Sequence, residues 1–202
     1  MRILIAAIAM LFASAAPAAA DRFSLTYDGA GLGFIPLGRV SVDVDVSEDS
    51  YDITARLASR GMMNLFERTH LTAQSSGVIQ HGAVLWRRYD LDHRYSRKRR
   101  IISMVVGGDG AIASTIEPNY RLWGEPPTSD EQRRRSRDPL SSMVAMSIDV
   151  GQTRRCAGAY PTFDGRFYYL LELAGGDIDR FDDAGYEGDV LKCSLAYIAV
   201  AG

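Results

Sequence analysis

Strict alternation of apolar and polar residues is the sequence feature that most constrains how this chain can fold. In "RVSVDVDVS" (residues 39–47) four valines alternate with polar residues, and "YDITARL" (residues 51–57) repeats the pattern. A period of two places successive side chains on opposite faces of a β-strand, so each segment predicts a strand with one buried face and one wet face. The turn-forming residues "SEDS" (47–50) predict that the two strands form a hairpin.

Similar segments recur along most of the chain. Further strands are predicted at Phe23–Asp28, Thr69–Ser75, Ala83–His93, Arg99–Val106, Ala111–Glu117, Arg166–Leu173 and Val190–Val200. Turn-forming residues follow several of them, in "SSG" from Ser75, "GGDG" from Gly107 and "AGGD" from Ala174. Short connections between so many strands predict an antiparallel sheet.

One helix interrupts the strands. Asp138 precedes Pro139 in "DPLSSMVAMSID", which is the pattern of an N-cap followed by proline at the first helical position. The spacing of the apolar residues predicts a helix over about residues 138–148. The polar segment "GEPPTSDEQRRRSR" (124–137) predicts an exposed loop ahead of it, and "GMMNLFE" (61–67) predicts a short helical turn.

These elements predict a mainly β fold, in which a curved antiparallel sheet forms an open or partial β-barrel around the helix or around a cavity. A flat open sheet of so many strands would expose its edges and twist apart. Because strand patterns continue on both sides of the helix, residues 21–202 are predicted to form a single domain.

The N-terminus has the layout of a secretory signal peptide. Arg2 is followed by an apolar run and by small residues that end at Ala20, so residues 1–20 are predicted to be cleaved after Ala20. An uncleaved anchor is the alternative, although the apolar run is short for a membrane span. The first cysteine is Cys156, which argues against a lipid-anchored protein, and no later segment is apolar enough to span a membrane. We therefore expect a soluble periplasmic protein.

The charge balance does not suggest a nucleic-acid partner. Without Arg2, the chain carries 22 basic and 25 acidic residues, so it is close to neutral. Export argues independently against nucleic acid, because an exported protein does not meet it in the cytoplasm.

The two cysteines predict a structural disulfide bond. An exported chain with an even number of cysteines favours pairing, here between Cys156 and Cys193. A redox-active pair is the alternative, but the C-x-x-C spacing that lowers a thiol pKa is absent from the sequence.

No catalytic, cofactor-binding or metal-binding motif is predicted. Asp164 in "FDGR" precedes Gly165, a pair typical of tight turns, and no His, Glu or Cys follows at a catalytic spacing. The three histidines lie on different segments without a zinc-ligand spacing. Ser141 and Ser142 lack the G-x-S-x-G motif of hydrolases. We therefore expect a protein that is not an enzyme, and a hydrolase is only a distant alternative.

Arginine is concentrated in "WRRYDLDHRYSRKRR" (86–100) and in "QRRRSR" (132–137). Guanidinium groups suit bidentate contacts to phosphate or carboxylate. The candidate anion contacts are Arg97, Arg99, Arg100, Arg133, Arg134 and Arg135. The simpler interpretation, which we favour, is a solvated charged face whose arginines pair with the many aspartates.

Three motifs occur in order together with the two cysteines: "DPLSS" (138–142), "TFDGRFYYL" (162–170) and "YEGDVLKCSLAYIAVAG" (186–202). By these motifs the chain resembles, over essentially all of residues 21–202, a family of exported bacterial proteins defined only as a domain of unknown function. The resemblance implies a periplasmic curved antiparallel sheet around a helix, similar to Lol-type lipoprotein carriers and to envelope-stress proteins with a spiral sheet. It also implies the Cys156–Cys193 bond.

The chain departs from the family pattern after Asp164-Gly165. Relatives often continue with basic residues, whereas this chain has Arg166 and then aromatic residues, so the resemblance does not support a basic contact there. No catalytic residue is established for the family, and none is carried over.

Two functions are expected from these observations. The first is a non-enzymatic periplasmic protein of the cell envelope that binds an apolar or amphiphilic ligand, or an envelope partner, in its curved sheet. The second is a scaffold protein with a filled core that docks to anionic envelope components through its arginine clusters. The sequence does not specify the ligand, the partner or the oligomeric state.

Overall fold

The computed structural model describes residues 21–31, 35–183 and 186–202. The predicted signal peptide (residues 1–20) and its cleavage site after Ala20 lie outside the described residues. Within the described ranges, no helix has the length and apolar character needed to cross a membrane.

The first seven strands form one antiparallel sheet in which each strand pairs with its neighbours in sequence. They are β1 (Asp21–Gly31), β2 (Ile35–Val46), β3 (Ser50–Ser59), β4 (Thr69–Gln80), β5 (Ala83–Tyr95), β6 (Lys98–Val106) and β7 (Ile112–Glu117). The short helix α1 (Met63–Phe66) lies between β3 and β4. The predicted β2–β3 hairpin and the helical turn after it are therefore confirmed.

The two faces of this sheet differ as the alternation predicts. Val44 of β2 pairs with Ile53 of β3, and both side chains are buried on the inner face. The outer face carries cross-strand ion pairs such as Arg39 with Asp28, at 2.6 Å between nitrogen and oxygen. Exposed pairs of this kind contribute little to stability, so burial of the inner face is the main force that holds the sheet.

A second, three-stranded sheet follows in the order β10-β9-β8. Its strands are β8 (Gly158–Phe163), β9 (Tyr168–Asp183) and β10 (Tyr186–Ala201). The helices α2 (Asp130–Arg135) and α3 (Pro139–Thr153) lie between the two sheets in sequence. The fold is therefore mainly β and antiparallel, as predicted, with two sheets that are not closed into a barrel.

Helix α3 packs in the core between the two sheets. Its N-cap, Asp138, accepts hydrogen bonds from the backbone nitrogens of Leu140 and Ser141, both at 3.0 Å, and Pro139 occupies the first turn. The buried core joins both sheets and the helix through Val42, Val44, Tyr51, Ile53, Ala73, Val84, Trp86, Tyr89, Ile102, Met104, Leu140, Val144, Ala145, Met146, Tyr160 and Phe163. The predicted helix is confirmed, and it extends beyond residue 148 to Thr153.

A disulfide bond joins Cys156 and Cys193, whose Cα atoms are 5.4 Å apart. Cys156 follows the C-terminus of α3, and Cys193 lies in the middle of β10. The bond therefore fixes the second sheet to the end of the central helix, and the predicted pairing is confirmed.

The "FDGR" segment forms the turn between β8 and β9. Oδ1 of Asp164 accepts hydrogen bonds from the backbone nitrogens of Arg166 (2.9 Å) and Phe167 (2.8 Å). Gly165 has φ 101°, a value that an L side chain rarely adopts. Asp164 therefore shapes the turn, as predicted, although β9 begins at Tyr168 instead of Arg166.

The structure differs from the prediction in two places around α3. The segment 124–137 was predicted as a loop, but it contains α2, which begins with a reciprocal capping box between Ser129 and Gln132. Strand β8 was not predicted, and Pro161 is a residue that disfavours a central strand. Pro161 is tolerated since β8 is an edge strand whose outer side meets Arg137.

The turns predicted at Ser75 and Ala174 were also wrong. Strand β4 continues through Gly77 with a register shift, and β9 continues through Gly175 and Gly176 opposite an irregularity at Cys193. Glycines in these segments accommodate bulges within long strands instead of ending them.

Candidate functional site

One side of helix α3 is not covered by either sheet. Met143 and Ser147 lie one turn apart on this side, and both are exposed. They form the floor of an apolar groove between β1 and β10, which are edge strands of the two sheets. The groove has two parts, one on each side of this helix face.

The first part of the groove lies between α3 and strands β1 to β3 and has a volume of about 330 Å³. Its lining is Asp21, Phe23, Leu25, Tyr27, Val42, Val44, Val46, Ile53, Met143, Val144, Ser147 and Ile148. Apart from Asp21, Ser147 and the Tyr27 hydroxyl, these side chains are apolar, so this part offers a surface for a hydrocarbon group.

The second part lies between α3 and strands β9 and β10 and has a volume of about 430 Å³. It is lined by Pro139, Met143, Met146, Ser147, Val150, Leu171, Leu173, Cys193 and Leu195. Because Met143 and Ser147 line both parts, the two parts adjoin along this face of the helix. The disulfide at Cys193 holds its β10 wall.

The walls of the groove carry large apolar side chains that nothing in the described residues covers. On β1, Phe23, Leu25 and Tyr27 are between 41% and 58% exposed, although they share the inner face with the buried valines of β2. On β10, Leu195 and Tyr197 are more than half exposed, and Tyr197 contacts Tyr169 with ring centroids 4.4 Å apart. A contiguous exposed apolar surface of this kind is typical of a binding site.

A buried polar network anchors the helix beneath the groove. Ser75 Oγ donates to Asp138 Oδ2 (2.9 Å) and lies 2.8 Å from Ser141 Oγ, which also contacts the Asp138 carboxylate. The Tyr51 hydroxyl lies 2.6 Å from Ser141 Oγ. Burial raises the pKa of Asp138 above its usual range and the pKa of Tyr51 to about 12. Asp138 and Ser141 are fully buried, so this network orients α3 and is closed to a substrate.

Comparison with protein-family models, with curated proteins and with solved structures finds no match to this chain. The resemblance to an exported domain of unknown function therefore stays a prediction. The function of the groove has to be inferred from its own geometry.

The candidate arginines of β5 and β6 are divided between the two faces of the sheet. Arg97 is exposed in the β5–β6 turn. On the outer face, Arg99 donates two hydrogen bonds of 2.8 Å to Asp92 and holds the pKa of that carboxyl down to about 2. Arg100 lies on the inner face with its guanidinium carbon 3.9 Å from the centroid of the Tyr120 ring. The sequence cluster is therefore not one surface.

The candidate arginines of α2 are also separated. Arg133 lines a cavity of about 370 Å³ and lies 5.4 Å above the Phe163 ring. Arg134 is exposed, and Arg135 pairs with Glu131 at 2.7 Å. These three arginines therefore face a cavity, the solvent and Glu131, respectively, and do not form one cationic surface.

Arg166 was not among the candidates, yet it joins Arg100. Its guanidinium carbon lies 4.6 Å from the centroid of the same Tyr120 ring. The β8–β9 turn brings Arg166 close to Tyr120, because Gly165 packs against Ile102. Ile102 follows Arg100 on the inner face of β6. Nothing in the sequence places Tyr120 between residues that are so far apart along the chain.

Proposed function

We propose that this chain is a non-enzymatic periplasmic protein of the cell envelope that holds the acyl chain of an amphiphile in the groove over α3. The observation that carries the proposal is the apolar lining that no described residue covers, with Phe23, Leu25 and Tyr27 on one wall and Leu195 on the other. Removing this surface from water by covering it with a hydrocarbon chain is favourable.

The shape of the groove favours an acyl chain over a protein partner. The two parts, of about 330 Å³ and 430 Å³, are of the size that binds small molecules. The first part of the groove is a cleft with one buried side at Val42, Val44 and Ile53, whereas a protein partner needs a broad surface. Its few polar groups also leave a polar partner without hydrogen bonds.

The disulfide supports the proposed location. Disulfide bonds persist in oxidising compartments such as the bacterial periplasm. The Cys156–Cys193 bond is therefore compatible with the signal peptide predicted for residues 1–20.

Docking to anionic surfaces through the arginine clusters is the alternative function. It has less support, because Arg99 and Arg135 already share ion pairs with carboxylates, and Arg100 faces inward. Under this alternative, replacing Arg97, Arg99 and Arg100 together by serine would abolish salt-sensitive binding to anionic vesicles.

Met143→Asp is expected to weaken acyl-chain binding by about tenfold or more, because it places a carboxylate on the apolar floor shared by both parts of the groove. The measurement is titration of the purified protein with an uncharged monoacylglycerol that carries a fluorescent acyl chain. The wild-type protein is expected to bind this probe with saturation.

Phe66→Asp is the matched control, because Phe66 is 78% exposed on α1 and does not line the groove. Its affinity for the probe should equal that of the wild type. The proposal fails if the wild-type protein does not bind the acyl probe and lipid extraction of protein purified from the periplasm recovers no amphiphile. It also fails if the two aspartate variants bind equally well.

A further inference from the structure

Three arginine side chains lie over aromatic rings. Arg100 and Arg166 lie over the Tyr120 ring, and Arg133 lies over Phe163. Within residues 21–31, 35–183 and 186–202, the buried side-chain nitrogens and oxygens without a hydrogen-bond partner are the Nε atoms of these three arginines. Unsatisfied buried groups of this kind are costly and call for a specific explanation.

Arg100 and Arg166 also lack a carboxylate partner. In the part of the chain that the structure describes, neither side chain takes part in an ion pair of 4.0 Å or less, or in a hydrogen bond. The adjacent Arg99, by contrast, is held by Asp92. The Asp164 carboxylate lies near Arg166, but its Oδ1 accepts from two backbone nitrogens of its own turn, and it forms no ion pair of 4.0 Å or less with Arg166. Two guanidinium groups that lie over one ring and make no direct contact with a carboxylate are suited to an anionic ligand.

A single row of paired residues connects this cationic pair to the groove. In the register of the seven-stranded sheet, the row runs Arg100, His93, Leu71, Leu57, Val40 and Tyr27. Directly paired residues share a face, so these side chains all lie on the inner face. The row begins with the cationic Arg100, continues with apolar residues from Leu71, and ends at Tyr27, which lines the first part of the groove.

The length of the apolar part of the row matches one acyl chain. Neighbouring strands lie about 4.8 Å apart, so the two steps from Arg100 to Leu71 cover about 10 Å, and the three steps from Leu71 to Tyr27 cover about 14 Å. The hydrocarbon core of a bilayer is about 30 Å thick, so one acyl chain covers about 15 Å. With the polar headgroup between Arg100 and Leu71, a chain of this length runs from Leu71 to the rim of the groove at Tyr27, and a longer chain enters the groove. Leu57 is partly exposed along this path, as a contact surface for a ligand requires.

We propose that Arg100 and Arg166 bind the phosphate or carboxylate headgroup of the amphiphile whose acyl chain lies along this row and enters the groove at Tyr27. The inference rests on the proposed function and adds the charge class of the ligand, an anionic lipid. The guanidinium groups bind the headgroup oxygens while Tyr120 fixes their separation, and the apolar residues of the row guide the chain from the headgroup toward α3.

The test compares two probes with the same acyl chain, lysophosphatidic acid and monoacylglycerol, which differ in the charge of the headgroup. Wild-type protein at low salt is expected to bind the anionic probe about tenfold more tightly or better. In Arg100→Gln and in Arg166→Gln this ratio should fall several-fold, and in the double variant it should approach one. Arg99→Gln is the matched control and should keep the wild-type ratio, because Arg99 lies on the outer face.

The outcomes separate this inference from the proposed function. If neither probe binds to the wild type, the groove assignment fails. If both bind with equal affinity, the groove assignment stands and the headgroup site is overturned. If inorganic phosphate alone binds the wild type as tightly as lysophosphatidic acid does, the acyl chain adds no affinity and the site binds free phosphate instead of a lipid headgroup, which also overturns the inference.

Ionic strength gives a second measurement that needs no variant. Raising NaCl from about 0.05 M to about 0.5 M shortens the screening length, so the preference for the anionic probe should decrease. This measurement decides the question if a glutamine variant does not fold. A preference that stays constant across this range contradicts a charge-based headgroup site.

Discussion

Replacing Asp138 by alanine is expected to lower the free energy of unfolding by about 3–5 kcal/mol, since it removes the N-cap of α3 and leaves buried hydroxyls unsatisfied. Asp138 accepts from the backbone nitrogens of Leu140 and Ser141 and from Ser75 Oγ, and it is fully buried. The measurement is urea unfolding followed by tryptophan fluorescence. Trp86 is a suitable probe, because its indole nitrogen donates to the backbone oxygen of Ser136 at 3.0 Å.

Asp138→Asn is the control for this prediction. Asparagine is also a good N-cap, and its amide can donate to the serine hydroxyls that now contact the carboxylate. It should therefore retain most of the stability that alanine loses. If alanine and asparagine destabilise the protein equally, or if alanine costs less than about 1 kcal/mol, the network does not anchor α3 as described.

The pH dependence of these variants has a definite sign. Burial raises the pKa of Asp138 in the folded protein above its value of about 3.9 in the unfolded chain. The folded state then binds more protons than the unfolded state over this interval, so the contribution of Asp138 to stability falls as the pH rises and levels off above the folded pKa. Asp138→Asn lacks this contribution. The free energy of unfolding of the wild type, relative to that of the variant, should therefore decrease as the pH rises from about 4.

Burial also raises the pKa of Asp164, and its contribution to stability has the same sign. Since Asp164 is present in both proteins, the difference between wild type and Asp138→Asn isolates Asp138. A difference that does not depend on pH would contradict a raised pKa at Asp138.

The alternation of residues predicted the seven-stranded sheet well, because one inner face is buried and one outer face is wet. Val40–Val46 and Tyr51–Leu57 would exchange these faces if the register slipped by one residue, so local sequence is enough to define the pairing. The helix was equally predictable, because Asp138 and Pro139 specify its start through local backbone chemistry.

Features that depend on non-local contacts were not predictable in this way. Pro161 argues against a strand until β8 is known to be an edge strand, and Gly175 and Gly176 indicate a turn until β10 pairs opposite them. The capping box of Ser129 and Gln132 was a local signal that could have predicted α2.

The candidate site likewise combines residues that local sequence predicts with contacts that only the folded chain creates. Its two walls come from β1 and β10, at opposite ends of the chain, and only the packing of both sheets on α3 brings them together. Arg100 was a candidate because it lies in a run of basic residues. Its partner Arg166 follows an unrelated turn, and the Tyr120 ring that joins them belongs to a segment without a predicted element.

Removal of the disulfide is expected to lower the free energy of unfolding by about 4 kcal/mol in the chain-entropy description, since the bond closes a loop between positions 37 residues apart. The change is the double variant Cys156→Ala with Cys193→Ala, and the measurement is urea unfolding of this variant and of the wild type. Gly176 of β9 lies close to the bond, since a Cβ added at this glycine would be 3.7 Å from Cys156 Sγ. Removing the bond is therefore expected to destabilise both long strands of the second sheet.

The same variant tests whether the β10 wall of the groove depends on the bond. Without it, β10 is held by its pairing with β9 and by contacts of its inner face. We expect faster amide hydrogen exchange in β9 and β10 than in β2 to β5, and weaker binding of the acyl probe, because Cys193 and Leu195 line the groove. Wild-type protein treated with a reductant serves as the control and should behave like the variant. Unchanged exchange in β10 together with unchanged probe affinity would show that packing on α3 alone holds this wall in place.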